Sequence, residues 1–206
     1  MKSVFLGRGK LLAGLFVMLF STVSYADVQL EPTWVKDGVN WGQYSKFLVK
    51  PLNIDDVKVI KPPYAEDDPT EWKLDIQDLE GIQAIFRDVM KNTLEADNGY
   101  PLVYADGADV LEVEVEILNI MPWLKPGSGG MIGGHQATTL GTGEITARVE
   151  IRDSETRELL VLIEGDKAIG TKYKEFTTAN NVSNVEYMFS RFAKRLRNSM
   201  DKIHGK

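Results

Sequence analysis

The stretch from Asp109 to Gly170 constrains the fold more than any other part of the chain. In Asp109–Leu118, Leu111, Val113, Val115 and Ile117 alternate with Glu112, Glu114 and Glu116. A period of two places the apolar set on one face of a strand and the carboxylates on the other. Ile145, Ala147, Val149 and Ile151 repeat the pattern against Glu144, Thr146, Arg148, Glu150 and Arg152, and Leu159, Val161 and Ile163 follow on the same parity. Such alternation predicts an antiparallel meander with one buried and one solvated face. The turn Asp153-Ser154-Glu155-Thr156 has residues whose side chains bond nearby amides. Matching parity across it sets Ile151 opposite Leu159 and Val149 opposite Val161. Leu160 and Leu162 then fall on the polar face with Leu118 and Ile120, and need cover from charged stems or from a partner.

The chain begins with Lys2, Arg8 and Lys10, an apolar run from Leu11 to Val23, and Ser24-Tyr25-Ala26. This is the pattern of a secretory signal peptide, residues 1–26, cleaved after Ala26. The run is shorter than the roughly 20 residues that a membrane span needs; an uncleaved anchor is the other reading. Removal takes three basic residues and no acid, leaving 21 basic against 30 acidic residues, a net charge of −9. Nucleic acid and anionic lipid surfaces both require a basic face and are excluded as partners on that balance. There is no cysteine, so an exported chain of this kind holds its fold by packing alone. The expected location is the periplasm.

Residues 27–43 carry Trp34 and Trp41 without a clear period and read as a draped, poorly ordered N-terminal arm, with the tryptophans as anchors to the core or as contacts for a partner or glycan. Residues 44–206 form the single domain. A strand is expected over Tyr44–Leu52, then a loop over Val57–Trp72. Within it Glu66-Asp67-Asp68 lacks the alternating oxygens and glycine of a calcium loop. A helix is expected from Asp75 to Ala96, capped by Asp75 with Asp78 three residues on and stopped in the left-handed region at Asn98-Gly99. Its apolar stripe is Leu79, Ile82, Phe86, Val89, Met90 and Thr93. Another short strand is expected near Val103. A polar connector over Tyr173–Asn181 leads to a second helix, opened by a capping box at Ser183–Glu186 and running to about Ile203. Val185, Met188, Phe189, Phe192, Leu196, Met200 and Ile203 form its stripe. Arg191, Lys194, Arg195, Arg197 and Lys202 make a basic outer face, either solvated or turned to an anionic partner.

The segment from Pro122 to His135 holds five glycines. It lacks the Gly-Lys-Ser/Thr of a phosphate loop and enters a strand rather than a helix, which excludes a nucleotide role. It is either a mobile excursion or a flexible contact loop showing Trp123, Met131, Ile132 and His135 to a partner. No zinc set can be assembled from His135 and His204, and His204 lies where fraying is expected. Ser128 does not sit in Gly-x-Ser-x-Gly. Glu112, Glu114 and Glu116 are explained by cross-strand pairing with Arg148 and Arg152 rather than by acid–base catalysis. No cofactor is implied.

Phe47-Leu-Val-Lys-Pro51, a helix, Gly107-Ala-Asp-Val-Leu-Glu-Val-Glu114, Gly143-Glu-Ile-Thr-Ala-Arg-Val-Glu-Ile-Arg-Asp153, Arg157-Glu-Leu-Leu160 and a closing helix occur in that order. In this succession, from Tyr44 to Ile203, the chain resembles the exported bacterial family known as domain of unknown function 3313. Many of its members look like lipoproteins; this chain has no lipid-accepting cysteine. At fold level it also resembles small α/β modules of outer-membrane assembly and cell-wall regulatory lipoproteins.

The expectation is a two-layer α/β (α+β) domain with a mixed, mostly antiparallel sheet of about five strands and two helices on one face. The expected function is a non-enzymatic interaction module that binds another envelope protein through Trp123, Met131, Ile132, His135, Leu160 and Leu162. The alternatives are a binder of a small ligand, lipid or glycan between the glycine-rich segment and the arm, and an unrecognised hydrolase.

Overall fold

The structure is a computed structural model and describes residues 31–206; the signal-peptide reading and the first four residues of the arm lie outside the described residues. The centre is the meander, made of β4 (Val110–Pro122), β8 (Gly143–Asp153) and β9 (Leu159–Ile169). Leu111, Val113, Val115 and Ile117 of β4 are buried, as are Ile145, Ala147, Val149 and Ile151 of β8. On one side, β2 (Lys46–Val49) and β3 (Lys58–Val59) both run parallel to β4, one after the other along its edge. On the other side, β1 (Pro32–Val35) runs antiparallel to β9. The six strands form a mixed sheet in the order β1-β9-β8-β4-β2, with β3 beyond β2 on β4. Two helices, α1 (Ile76–Leu94) and α2 (Thr178–His204), complete an α+β fold.

Both helices turn their stripes to the sheet. Phe86, Met90 and Leu94 of α1 are buried, and so are Val185, Met188, Phe189, Leu196 and Met200 of α2. Phe86 meets Phe189 edge-on, 5.2 Å between ring centroids, an arrangement that adds about 0.5–1.5 kcal/mol to area burial. Asp75 caps α1, and Asp78 returns the bond to the Asp75 amide.

Several expectations are corrected. The arm is ordered from Glu31: it supplies the edge strand β1, and Trp41 is 1% exposed. The loop over Val57–Trp72 contains β3 and a 3-10 turn at Pro69–Glu71. The strand near Val103 shrinks to a single bridge between Leu102 and Phe47. The left-handed residues after α1 are Asp97 and Asn98, with φ of 47° and 57°; Gly99 stays at φ −67°. α2 starts earlier than the sequence suggests, capped by Thr177 through the Asn180 amide. Ser183 therefore lies inside it. His204 is held, with Nε2 2.8 Å from the Tyr44 carbonyl. Finally, Ile151 pairs with Val161 and Val149 with Ile163. Arg152 already pairs with Leu159, one residue beyond the expected register, and a one-residue bulge between Ile151 and Arg152 adds one more; the two together shift the register by two, which keeps the parity and so escapes a parity argument.

The polar face is laced by charge. Glu112 faces Arg152 and Glu116 faces Arg148 across β4 and β8. Arg148 pairs with Glu116 at 3.6 Å and with Glu164 at 3.5 Å. Glu112 is 4% exposed; it receives Lys50 at 3.1 Å and also Arg157. A buried carboxylate persists only with such partners, which gives these glutamates a structural role.

Candidate functional site

The glycine-rich segment is folded. β4 and β8 are joined by an excursion whose neck is closed by the Trp123 amide, which donates to the Thr142 carbonyl at 3.0 Å. The Trp123 indole N–H donates to the Leu140 carbonyl at 3.0 Å, and the Tyr64 hydroxyl donates to the Trp123 carbonyl at 2.6 Å. Lys125 pairs with Glu71 and stands 3.8 Å from Asp67; the Glu71 carboxylate beside it raises the lysine above its ordinary pKa.

Beyond the neck, β5 (Met131–Ile132) and β6 (His135–Gln136) form a hairpin around Gly133-Gly134, with φ of 56° and 83°. A two-residue turn with both φ values positive matches strand twist and selects glycine. Next, β7 (Thr138–Leu140) pairs antiparallel with β10 (Tyr173–Glu175), the segment expected to be only a connector. Two backbone hydrogen bonds and one from a side chain join hairpin and pair. The Ala137 amide donates to the Gly130 carbonyl at 2.8 Å, the Phe176 amide donates to the Ala137 carbonyl at 2.8 Å, and Gln136 Nε2 donates to the Phe176 carbonyl at 2.6 Å. Gly130 has φ +76°, and a Cβ there would stand 2.0 Å from the Phe176 carbonyl oxygen. The assembly is tied to α2 by Asn184 Nδ2, which donates to the Thr142 hydroxyl at 2.8 Å.

This end of the molecule displays apolar side chains. Met131, Ile132, Leu140 and Tyr173 are 46%, 60%, 47% and 75% exposed. Leu140 and Tyr173 are direct cross-strand partners. Of the residues singled out from sequence, Met131, Ile132 and His135 come together on the hairpin, and Trp123 forms its half-buried base. Leu160 and Leu162 do not join them. Leu160 is 2% exposed and belongs to the core, and Leu162 faces Trp34 of β1. They lie about 30 Å and about 23 Å along β9 from Ile169, at about 3.3 Å per residue. Trp34 and the glycine-rich segment therefore stand toward opposite ends of β9 and form no common pocket. Leu140 and Tyr173 were missed by sequence reasoning. Their signal is an apolar residue in each of two short polar runs flanked by glycine, too short to show a period.

Among the described residues, no group of three or more His, Asp or Glu is placed to hold a metal ion, and no helix is long and apolar enough to cross a membrane.

The family described as "Protein of unknown function (DUF3313)" matches residues 24–196. The chain belongs to that family. The DUF3313 match takes in the whole meander, the excursion and most of α2. No curated protein matches the chain. Among solved structures it is similar to protein XCC0632 from Xanthomonas campestris, with 14% identity, 84% of this chain and 94% of that one covered, and a TM-score of 0.41. It is also similar to the PelC dodecamer from Paraburkholderia phytofirmans, with 7% identity, coverage of 75% and 89%, and a TM-score of 0.36. A third is the hypothetical protein CT253 from Chlamydia trachomatis, with 10% identity, coverage of 79% and 99%, and a TM-score of 0.37. Nothing about partners or activity follows from likeness at that level.

Proposed function

We propose that this DUF3313 protein is an exported periplasmic envelope protein that acts by binding rather than by catalysis, and that a second envelope protein docks on the hairpin end. The signal-peptide pattern of residues 1–26 supports export, with maturation after Ala26. One observation carries the binding role: Met131, Ile132, Leu140 and Tyr173 stand exposed on a framework fixed by backbone contacts. Scattered single apolar residues on a surface need no explanation, but a cluster does. A preorganised patch also avoids the ordering cost that a floppy loop would incur on binding.

Two measurements test this. Intact mass of the protein recovered from the periplasmic fraction should correspond to a chain starting at Asp27; a full-length mass, or recovery with the cytoplasm, refutes export. A photo-reactive residue in place of Ile132 should crosslink to one protein in cells, and the Ile132→Asp and Tyr173→Ser variants should abolish co-purification of that protein. A well-expressed probe that captures nothing, while a control probe at exposed Tyr104 behaves the same, refutes the docking role.

A further inference from the structure

β10 has β7 on one side, and no strand among the described residues lies along its other edge. Two hydrogen bonds fix the direction of its backbone groups. The Gly141 amide donates to the Lys172 carbonyl at 3.2 Å, and the Phe176 amide donates to the Ala137 carbonyl at 2.8 Å. Lys172 and Phe176 therefore face β7. Alternate residues of an antiparallel pair turn their backbone groups to alternate sides. Lys174 thus also faces β7, while Tyr173 and Glu175 turn outward. The Glu175 carbonyl accepts from the Asn180 side chain at 2.8 Å and from the Thr177 amide at 3.0 Å. The Tyr173 amide and carbonyl and the Glu175 amide have no hydrogen-bond partner among the described residues. Residues 171–175 are all exposed, so solvent reaches this edge along its length. The side chains alternate as well. Tyr173 lies across from Leu140 on one face. Lys172 and Lys174 lie on the other, and neither pairs with a carboxylate among the described residues.

We infer that β10 accepts a further strand: an extended segment of the docking partner, antiparallel to β10, with an apolar residue between two acidic ones. The free groups select the antiparallel direction, in which one facing residue exchanges two hydrogen bonds with Tyr173 and the Glu175 amide supplies a third. The residue opposite Tyr173 lies on the same face and extends the row of Leu140 and Tyr173, so it is apolar. Its two neighbours come opposite Lys174 and Lys172 on the other face, so both are acidic. Lysines on an edge guard it against indiscriminate pairing; here they admit a strand that brings carboxylates to both places. A second copy of this chain fails that condition, because antiparallel pairing of two β10 edges about Tyr173 sets Lys172 against Lys174 twice. Strand addition rests on the docking reading of the hairpin end, and it specifies the partner's chemistry there.

The probe is the peptide acetyl-Thr-Glu-Val-Glu-Val-amide, titrated into the ¹⁵N-labelled chain matured after Ala26 and followed by NMR. The expected result is saturable one-to-one binding, with shifts centred on β10 and slower hydrogen exchange at the Tyr173 and Glu175 amides. N-methylation of the central valine removes its donor to the Tyr173 carbonyl and should weaken binding by about tenfold or more. The peptide with lysine in place of both glutamates should bind about tenfold more weakly at low salt, a difference that shrinks as salt is added. Lys172→Glu with Lys174→Glu should reverse that preference. Glu175→Pro removes an outward amide and should weaken the glutamate peptide by about tenfold, whereas Glu175→Ala should change it by roughly twofold or less. The N-methylated peptide needs no change to the protein, so it still decides the matter if Glu175→Pro disturbs β10. Absence of saturable binding overturns strand addition. So does equal binding of the N-methylated peptide, or a charge preference that does not reverse. Dimerisation of the parent that Glu175→Pro abolishes would make the occupant a second copy and overturn it too. Capture by the Ile132 probe that is the same in the parent and in Glu175→Pro leaves docking by side chains standing and refutes strand addition. An Ile132 probe that captures nothing refutes the docking role, and strand addition by that partner with it.

Discussion

Gly129 and Gly130 separate the two readings of the glycine-rich segment, because they are neighbours with the same backbone requirement and different surroundings. Their φ values are +62° and +76°. Alanine in that region costs about 1–2 kcal/mol at either site. Around Gly129 a Cβ would meet nothing within 4 Å; at Gly130 it would stand 2.0 Å from the Phe176 carbonyl and 2.5 Å from Gln136 Nε2. Backbone cannot yield that distance without moving β10's end away from the hairpin. The Gln136–Phe176 bond and the Phe176–Ala137 bond are the contacts at risk, each contributing about 0.5–1.5 kcal/mol net. Gly129→Ala should therefore cost about 1–2 kcal/mol and Gly130→Ala about 2–5 kcal/mol. The loss falls first on the excursion, so the assay is native-state hydrogen exchange read at the Ala137 and Phe176 amides. Every 1.4 kcal/mol is a factor of ten in opening. Gly130→Ala should speed exchange at those two amides by at least tenfold more than Gly129→Ala does, with the Val113 and Val149 amides of the central strands unchanged. Equal effects of the two variants, or already unprotected amides in the parent protein, would refute a folded excursion.

Three further outcomes are expected. Phe86→Ala should cost about 3–5 kcal/mol by urea titration, since it empties a site 1% exposed and removes the edge contact to Phe189. Asn184→Ala should cost about 1–2 kcal/mol, because the Thr142 hydroxyl loses its buried donor, and should raise exchange at the Trp123 amide in the neck. Burial, and then the hydrogen bond to Asp153, push the Tyr44 phenol up to about 12 from an ordinary 10. The folded state thus favours the protonated phenol. Its contribution is complete below pH 10 and is lost as pH rises towards 12, up to about 2–3 kcal/mol. The stability gap between the parent and Tyr44→Phe should narrow over that window, and an unchanged gap would refute the coupling.

The meander and both helices were legible because each carries a long, uninterrupted period: alternation through β4, β8 and β9, and three-and-four spacing from Leu79 to Met90 and from Val185 to Met200. The features that escaped are those without a period of their own. β1, β3, β5, β6, β7 and β10 have two to four residues each, and such pieces exist only because a longer neighbour offers them a partner. The Ile151–Arg152 bulge is invisible for another reason: with the longer turn beside it the register shifts by two, and hydrophobic parity, which fixes only the face a residue takes, is unchanged by such a shift. The start of α2 was misplaced because Ser183 and Glu186 satisfy the spacing of a capping box inside the helix, while the true cap, Thr177, stands in polar sequence. At the candidate site, exposure of Met131 and Ile132 could be anticipated from their glycine flanks. The pairing of Leu140 with Tyr173 is a contact between distant segments and left no local trace.

Strand lengths explain why the hairpin end lies where it does. β4, β8 and β9 have 13, 11 and 11 residues, whereas the flanking β1 and β2 have four each. The central strands overrun their neighbours at the end towards Ile169. On the β4 side, β3 takes up the overrun by pairing at Asn119 and Ile120. On the β9 side, no strand among the described residues pairs with Gly165–Ile169 beyond β8. Asp166 and Lys167 lie in that stretch, and Gly165, at φ 157°, interrupts it. At the strand end β9 leads into the neck at Thr142, whose amide donates to the Ile169 carbonyl at 2.7 Å. The extra length of β4, β8 and β9 therefore carries the neck, and the exposed hairpin beyond it, clear of the short flanking strands β1 and β2.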